Sequence, residues 1–116
     1  MPRLNYDNRR FRSLTNSAGG DVDGATIFRY RQRGDIVWAS YDGGAVAHGQ
    51  LIAKMAEDGT LDMRYHHATV DGRLMAGTCR SRLEILPDGR YRLHEEWQWT
   101  GGAEGSGRSV VEEIEQ

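Results

Sequence analysis

Glu95, His67 and Tyr65 are the residues whose types and spacing best suit chemistry in this sequence. All three are predicted to face the same interior. A carboxylate turned inward without a cationic partner costs several kcal/mol or takes up a proton. A carboxyl with a raised pKa suits general acid or base catalysis, which a histidine and a phenol could share. The same groups could instead hydrogen-bond one another in a packed core or position a ligand.

Regularly spaced turns decide which side chains face inward. Asp-Gly closes three similar turns, at residues 57–59, 70–72 and 87–89, as is typical of hairpin loops that end in a left-handed glycine. The pairs predicted to flank them are Ala56 with Thr60, Thr69 with Arg73, and Leu86 with Arg90. This register makes one face of residues 47–99 largely apolar, with Glu95 as its single charged residue, while the other face is polar. Agreement between turn chemistry and polarity supports the register.

Two earlier turns complete the predicted register. A three-residue turn at residues 32–34 would likewise pair residue 31 with residue 35. Within residues 42–44, a two-residue turn sets Trp38 inward near Gly49, whereas a three-residue turn sends it outward. We favour the inward orientation, because an indole packs well over a glycine and is less common on a surface.

The fold class predicted from these patterns is all-β, with one domain over residues 1–116. Eight strands are expected, at roughly 8–17, 23–33, 35–42, 45–56, 60–70, 73–86, 90–100 and 105–115. Tight hairpins between them indicate an eight-stranded antiparallel up-and-down meander, and closure into a β-barrel removes both sheet edges. A barrel of this size is either filled or holds one small ligand. The connections are predicted to be too short to form a lid.

Composition argues against several classes of function. The formal net charge of −2 disfavours nucleic acid as a partner. No apolar run long enough to span a membrane and no secretory signal are found, and the single Cys79 fits a reducing cytoplasm. His66 and His67 point to opposite faces, so no metal site is predicted. No cofactor-binding motif is recognised.

The predicted ligand-binding residues line the interior and are mostly aromatic or apolar. They are Phe28, Tyr30, Trp38, Ser40, Leu51, Met63, Tyr65, His67, Met75, Cys79, Trp97 and Trp99. A small apolar or aromatic ligand suits such a lining. The entrance is expected at the end that carries the 42–44, 70–72 and 100–105 turns. Leucines, Met55 and Ile85 are expected to plug the opposite end.

Four stretches carry a resemblance to a known group of proteins: residues 26–30, 36–39, 61–67 and 93–99. They resemble small bacterial proteins that commonly bear the automatic label N-acetylglutamate synthase. A synthase that uses acetyl-CoA needs a glycine-rich loop opening a helix, whereas the glycines here lie in hairpin turns. The resemblance therefore implies a small barrel similar to lipocalins and avidin-like proteins, the calycins.

Three functions remain open. The first is a cytoplasmic small-molecule-binding β-barrel with an aromatic lumen. The second is a small barrel enzyme that cyclises, isomerises or dehydrates a hydrophobic substrate, with Glu95, His67 and Tyr65 as catalytic groups. The third is a solid barrel that acts through its outer surface, for example as a homodimer. A cavity above about 300 Å³ favours the first two.

Overall fold

Eight strands form a closed barrel in the computed structural model, which describes residues 4–114. The strands are β1 (Arg10–Asn16), β2 (Ile27–Arg33), β3 (Ile36–Gly43), β4 (Val46–Met55), β5 (Leu61–Thr69), β6 (Leu74–Ile85), β7 (Tyr91–Gly101) and β8 (Ser106–Glu113). Each pairs antiparallel with its neighbour in sequence, and β8 pairs with β1. The predicted all-β up-and-down barrel is confirmed. The described residues include no helix that could cross a membrane.

The three Asp-Gly turns have the predicted geometry. The backbone N–H groups of Ala56, Thr69 and Leu86 donate to the carbonyls of Thr60, Arg73 and Arg90 at 2.9, 2.9 and 2.8 Å. The glycines that close the turns, Gly59, Gly72 and Gly89, have φ of 86°, 89° and 90°. Only glycine adopts this conformation at little cost. The turns therefore set the inward faces of β5, β6 and β7 as the sequence predicts.

The predicted orientation of β3 is wrong. Arg33 pairs with Ile36, so the turn before β3 has two residues, Gly34 and Asp35, rather than three. A one-residue difference in a turn reverses the alternation of the following strand. Trp38 therefore lies on the outer surface with 38% of its area exposed. Ser40 shares that outer face.

Tyr41 occupies the position over Gly49 that the sequence assigns to Trp38. The two residues are direct partners on β3 and β4. A Cβ atom at Gly49 would overlap the phenol ring, so the missing side chain makes room for the ring. The idea of a large ring over a glycine gap was right, and the residue assigned to it was not.

The N-terminal plug, residues 4–9, closes one end of the barrel. Tyr6 is completely buried, and its hydroxyl donates to the carbonyl of Gly59 at 2.6 Å. Its ring lies edge-on to Tyr91 at 5.3 Å and packs on Tyr30 at 5.8 Å. The prediction that aliphatic side chains alone plug this end is therefore incomplete, and Ile85 is 53% exposed.

The cap loop, residues 17–26, covers the other end. It joins β1 to β2, both of which are shorter than the sequence suggests. Gly19 has a φ of 92°, and the Asn16 side-chain amide donates to the carbonyl of Val22 at 3.0 Å. The predicted strands leave a connection of residues 18–22 only, whereas the structure has residues 17–26 outside the strands, and this longer connection lies over the barrel end.

Candidate functional site

A cavity of about 50 Å³ lies inside the barrel beneath the cap loop. Its walls come from the cap loop, from the last residue of β1 and from inward side chains of β2 to β8. The lining residues are Asn16, Gly20, Asp21, Val22, Phe28, Tyr41, Leu51, Met63, Tyr65, His67, Cys79, Glu95, Trp97, Trp99 and Ser109. The cavity is thus at the barrel end where the sequence places the entrance, although the cap loop lies across it.

Glycines on neighbouring strands position three of the aromatic rings that line the cavity. The directly paired residues are Tyr41 with Gly49, Tyr65 with Gly77, and Trp97 with Gly107. At each glycine, an added Cβ atom would overlap the partner's ring or its hydroxyl. A strand glycine commonly marks such a close approach. The repeated pairing lets large rings lie along the barrel wall and leaves space in the middle.

The rings pack against one another around the cavity. Trp99 lies edge-on to Tyr65 and His67, with ring centroids 5.8 Å apart in each case. Tyr65 stacks on His67 at 6.4 Å, and Trp97 lies 5.5 Å from Trp99. These separations fall in the range of favourable aromatic pairs. Mutual packing holds the rings in place without filling the centre.

Glu95 is the carboxylate within the barrel. Ser81 on β6 donates to its Oε2 at 2.7 Å, and Ser109 on β8 donates to its Oε1 at 3.1 Å. The accessible part of Glu95 faces the cavity, and burial raises the pKa of this carboxyl despite the two hydroxyl donors. The hydrogen-bond partners of Glu95 are therefore two serines rather than His67 and Tyr65, which the sequence analysis considers.

Cys79 borders the same carboxylate from β6. Its Sγ lies 3.8 Å from the Ser81 hydroxyl. Burial, reinforced by the charge of Glu95, raises the pKa of the thiol. Because only the thiolate is a strong nucleophile, Cys79 acts here as a small apolar wall residue.

His67 connects the barrel to the cap loop. Its side chain is almost fully buried, with Nε2 2.9 Å from Asp21 Oδ2 and Nδ1 2.9 Å from the Tyr41 hydroxyl. A carboxylate only accepts hydrogen bonds, so Nε2–H donates to Asp21. Burial raises the pKa of Tyr41 and keeps its hydroxyl protonated. Arg73 lies 3.6 Å from the other oxygen of Asp21.

Both cavity tryptophans also hold the cap loop. The indole N–H of Trp97 donates to Asn16 Oδ1 at 2.9 Å, and that of Trp99 donates to the carbonyl of Gly19 at 3.1 Å. His67 and Trp99 thus bond the loop directly, whereas Trp97 supports it through Asn16, whose side-chain amide donates to the carbonyl of Val22. Any molecule that enters from this end must disturb those bonds.

The structure brings most of the predicted site residues together. The three catalytic candidates, Glu95, His67 and Tyr65, all line the cavity. Of the remaining predicted ligand-binding residues, Phe28, Leu51, Met63, Cys79, Trp97 and Trp99 line it as well. Tyr30 and Met75 are buried away from the cavity, Tyr30 beside the N-terminal plug. Trp38 and Ser40 lie outside the barrel wall, because β3 is reversed relative to the prediction.

Six cavity residues were missed in the sequence. Gly20, Asp21 and Val22 belong to the cap loop, Asn16 ends β1, Tyr41 lies on the reversed face of β3, and Ser109 lies on β8, whose faces the turns do not fix. The Gly-Gly-Asp sequence at residues 19–21 was the one local signal, since such a stretch more often forms a loop than a strand. Within residues 4–114, no group of three or more histidine, cysteine or acidic side chains could hold a metal ion.

Comparison with known proteins gives one match. A family model described as avidin-like protein matches residues 4–114, which is nearly the whole chain. No curated protein matches the chain. No solved structure matches it either.

Proposed function

The chain belongs to the avidin-like family, and we propose that it binds a small molecule inside the barrel, beneath the cap loop. The observation that carries this proposal is the aromatic cavity with the carboxyl groups of Glu95 and Asp21 on its wall. Concave sites lined by aromatic rings and a few polar groups are typical of small-molecule binding. A barrel that acted only through its outer surface would have no need of glycines that keep its centre open.

The size of the cavity constrains how the ligand enters. At about 50 Å³ it holds roughly three to five water molecules, and it is well below the volume of a typical ligand site, about 300 Å³ or more. The closed barrel does not reach the size that favours binding over a filled barrel, so it accommodates only a small ligand or one end of a larger ligand unless the cap loop opens. We propose that the cap loop is a lid, because hydrogen bonds that water can replace hold it closed.

Binding is better supported than catalysis. In the enzyme alternative, His67 would exchange a proton with a substrate. Both of its ring nitrogens are already occupied, by Asp21 and Tyr41. Each oxygen of Glu95 likewise holds a serine hydroxyl. These groups are fixed in place, as expected for a binding site. We assign the function to the cytoplasm, which the buried, unpaired thiol of Cys79 supports.

Native mass spectrometry of freshly purified protein tests the proposal. We expect a retained small molecule that is lost or reduced in His67→Ala. The matched control is His66→Ala, because His66 is adjacent but exposed on the outer face. A broad ligand screen read by melting temperature complements this measurement. If no molecule is retained and no compound shifts the melting temperature, small-molecule binding is contradicted.

A further inference from the structure

We propose that the ligand carries a planar organic cation, an amidinium or guanidinium group, which the carboxylate of Glu95 binds through two parallel hydrogen bonds. This inference rests on the proposed function, since it specifies the chemistry of the molecule that the cavity holds. It follows from the charges around the cavity, from the unused hydrogen-bonding sites of Glu95 and from the rings beside them.

The charges that line the cavity are negative. Its two acidic side chains are Glu95 and Asp21, and no lysine or arginine of the described residues lines it. Asp21 already has cationic and N–H partners in Arg73 and His67. Among residues 4–114, the partners of Glu95 are all neutral: the two serine hydroxyls and the nearby thiol. A buried carboxylate is stabilised most by a cation, and a ligand can provide the one that the protein lacks.

The geometry of Glu95 leaves room for a forked donor. An ionised carboxylate offers about four acceptor positions, two on each oxygen. Ser81 uses one position on Oε2 and Ser109 uses one on Oε1. These two hydrogen bonds leave one position on each oxygen, and the nearby Cys79 thiol, a weak donor, can share only one of them. Two parallel N–H groups of an amidinium or guanidinium match such a pair.

The surrounding rings suit the same group. Tyr65, Trp97 and Trp99 line the cavity together with Glu95. A guanidinium is flat, is weakly hydrated and stacks on aromatic faces, where the ring quadrupole attracts its charge. Its four heavy atoms also suit the volume of about 50 Å³.

A neutral ligand is the competing possibility. If Glu95 keeps its proton when the site is occupied, it presents one donor and one acceptor, which match a urea or an amide. Urea has the same shape and number of heavy atoms as guanidinium but no charge. The pair of probes therefore separates the two possibilities.

Titration followed by the indole N–H signals of ¹⁵N-labelled protein makes this comparison. Guanidinium chloride is added at millimolar concentrations, with sodium chloride at equal ionic strength and urea at equal concentration as controls. We expect guanidinium to shift the Trp97 and Trp99 signals in a saturable way. The Trp38 signal serves as an internal control, since that indole lies on the outer surface. Urea and sodium chloride should leave all three signals nearly unchanged.

Glu95→Gln and Glu96→Gln form a matched pair of variants. Both remove one negative charge, but Glu96 is exposed on the outer face of β7. We expect Glu95→Gln to weaken guanidinium binding by about tenfold or more, the usual effect of losing a charge-assisted hydrogen bond. Glu96→Gln should change it less than about twofold. The comparison of guanidinium with urea on the unmodified protein stands even if Glu95→Gln folds poorly.

Two results would overturn the inference. If urea binds as tightly as guanidinium, or more tightly, Glu95 recognises a neutral group. The proposal that the cavity binds a small molecule would then still stand. If neither probe shifts the indole signals in a saturable way, a cationic ligand is also rejected. The ligand screen and native mass spectrometry would then decide separately whether the cavity binds a molecule at all.

Discussion

At one end of the barrel, the N-terminal plug inserts Tyr6 among Tyr30, Tyr91 and the 57–59 turn, and no surface of this residue is exposed. At the other end, the cap loop lies over a cavity and is held by hydrogen bonds to side chains of the barrel. Packed apolar contacts are lost when a segment opens, whereas water can replace hydrogen bonds. The plug is therefore expected to stabilise the fold, and the cap loop is expected to open.

Removal of the Tyr6 side chain should have the largest effect on stability. We expect Tyr6→Ala to lower the free energy of unfolding by roughly 3–5 kcal/mol, because it leaves a cavity where a large ring was completely buried. Tyr6→Phe keeps the ring and loses only the hydrogen bond to Gly59, so it should cost about 1 kcal/mol. Denaturant unfolding measures both.

The cavity at the opposite end should not be affected by Tyr6→Ala. In folded Tyr6→Ala, the indole signals of Trp97 and Trp99 should remain where they are in the unmodified protein. A loss below about 1 kcal/mol for Tyr6→Ala, or displaced indole signals, would mean that the two ends are not independent.

Glu95 should make stability depend on pH. The folded protein holds the proton of this carboxyl more tightly than the unfolded chain does, because burial raises the pKa above its ordinary value of 4.5. Between that value and the raised pKa, the unfolded chain releases its proton first, so stability falls as pH rises, by up to about 1.4 kcal/mol per pH unit. Below pH 4.5 the effect is absent.

Glu95→Gln should remove this contribution. Its free energy of unfolding should increase relative to that of the unmodified protein as pH rises through the window, because only the unmodified protein loses stability there. The exposed Glu96→Gln should show no such trend. Parallel stability curves for Glu95→Gln and the unmodified protein, measured by urea unfolding from pH 4 to 8, would show that Glu95 titrates normally.

Two turn glycines allow a finer comparison of packed and open surroundings. Gly59 and Gly89 have nearly equal φ, 86° and 90°, so replacement by alanine strains both backbones by about 1–2 kcal/mol. A Cβ atom at Gly59 would also lie 2.7 Å from Leu83 and 2.9 Å from Leu4, whereas none is near at Gly89. We expect Gly59→Ala to cost more than Gly89→Ala in denaturant unfolding. Equal losses of stability would mean that the side chains around Gly59 move aside at little cost.

Local chemistry explains what the sequence predicted well. Each Asp-Gly turn sets the register of the two strands beside it, and register determines the face of every side chain between turns. That is why Tyr65, His67, Glu95 and Trp97 were assigned correctly to the interior. At Gly34 the local signal is ambiguous, since this glycine suits a two-residue and a three-residue turn equally. The predicted orientation of Trp38 and Ser40 depended on that choice and on the turn at residues 42–44.

Contacts distant in sequence explain what could not be predicted. Asp21 and His67 are 46 positions apart, and Tyr6 and Gly59 are 53 apart. No local sequence pattern indicates either pair, because each joins segments that only the closed barrel brings together. The plug and the cap loop are both short segments that lie over an end of the barrel. Their positions therefore follow from tertiary structure rather than from strand periodicity.

The cap loop itself should respond to loss of Asp21, with the smallest effect of the series. Asp21→Ala removes the acceptor for His67 Nε2–H and should cost about 1 kcal/mol, as a typical hydrogen bond does. The indole N–H of Trp99 donates to Gly19 in the same loop, so its exchange with water reports loop opening. About 1 kcal/mol corresponds to roughly fivefold faster exchange.

Asp21→Asn is the matched control for this prediction. The amide oxygen can still accept from His67, whereas the attraction to Arg73, a half-exposed side chain 3.6 Å away, is lost and contributes little. Its Trp99 exchange rate should therefore lie near that of the unmodified protein. The backbone amide of Asn8, which donates to Tyr30 in the plug at 3.0 Å, should exchange equally slowly in both variants. Faster exchange at Asn8 would mean that Asp21 stabilises the whole barrel, and unchanged exchange at Trp99 in Asp21→Ala would mean that the cap loop does not depend on His67.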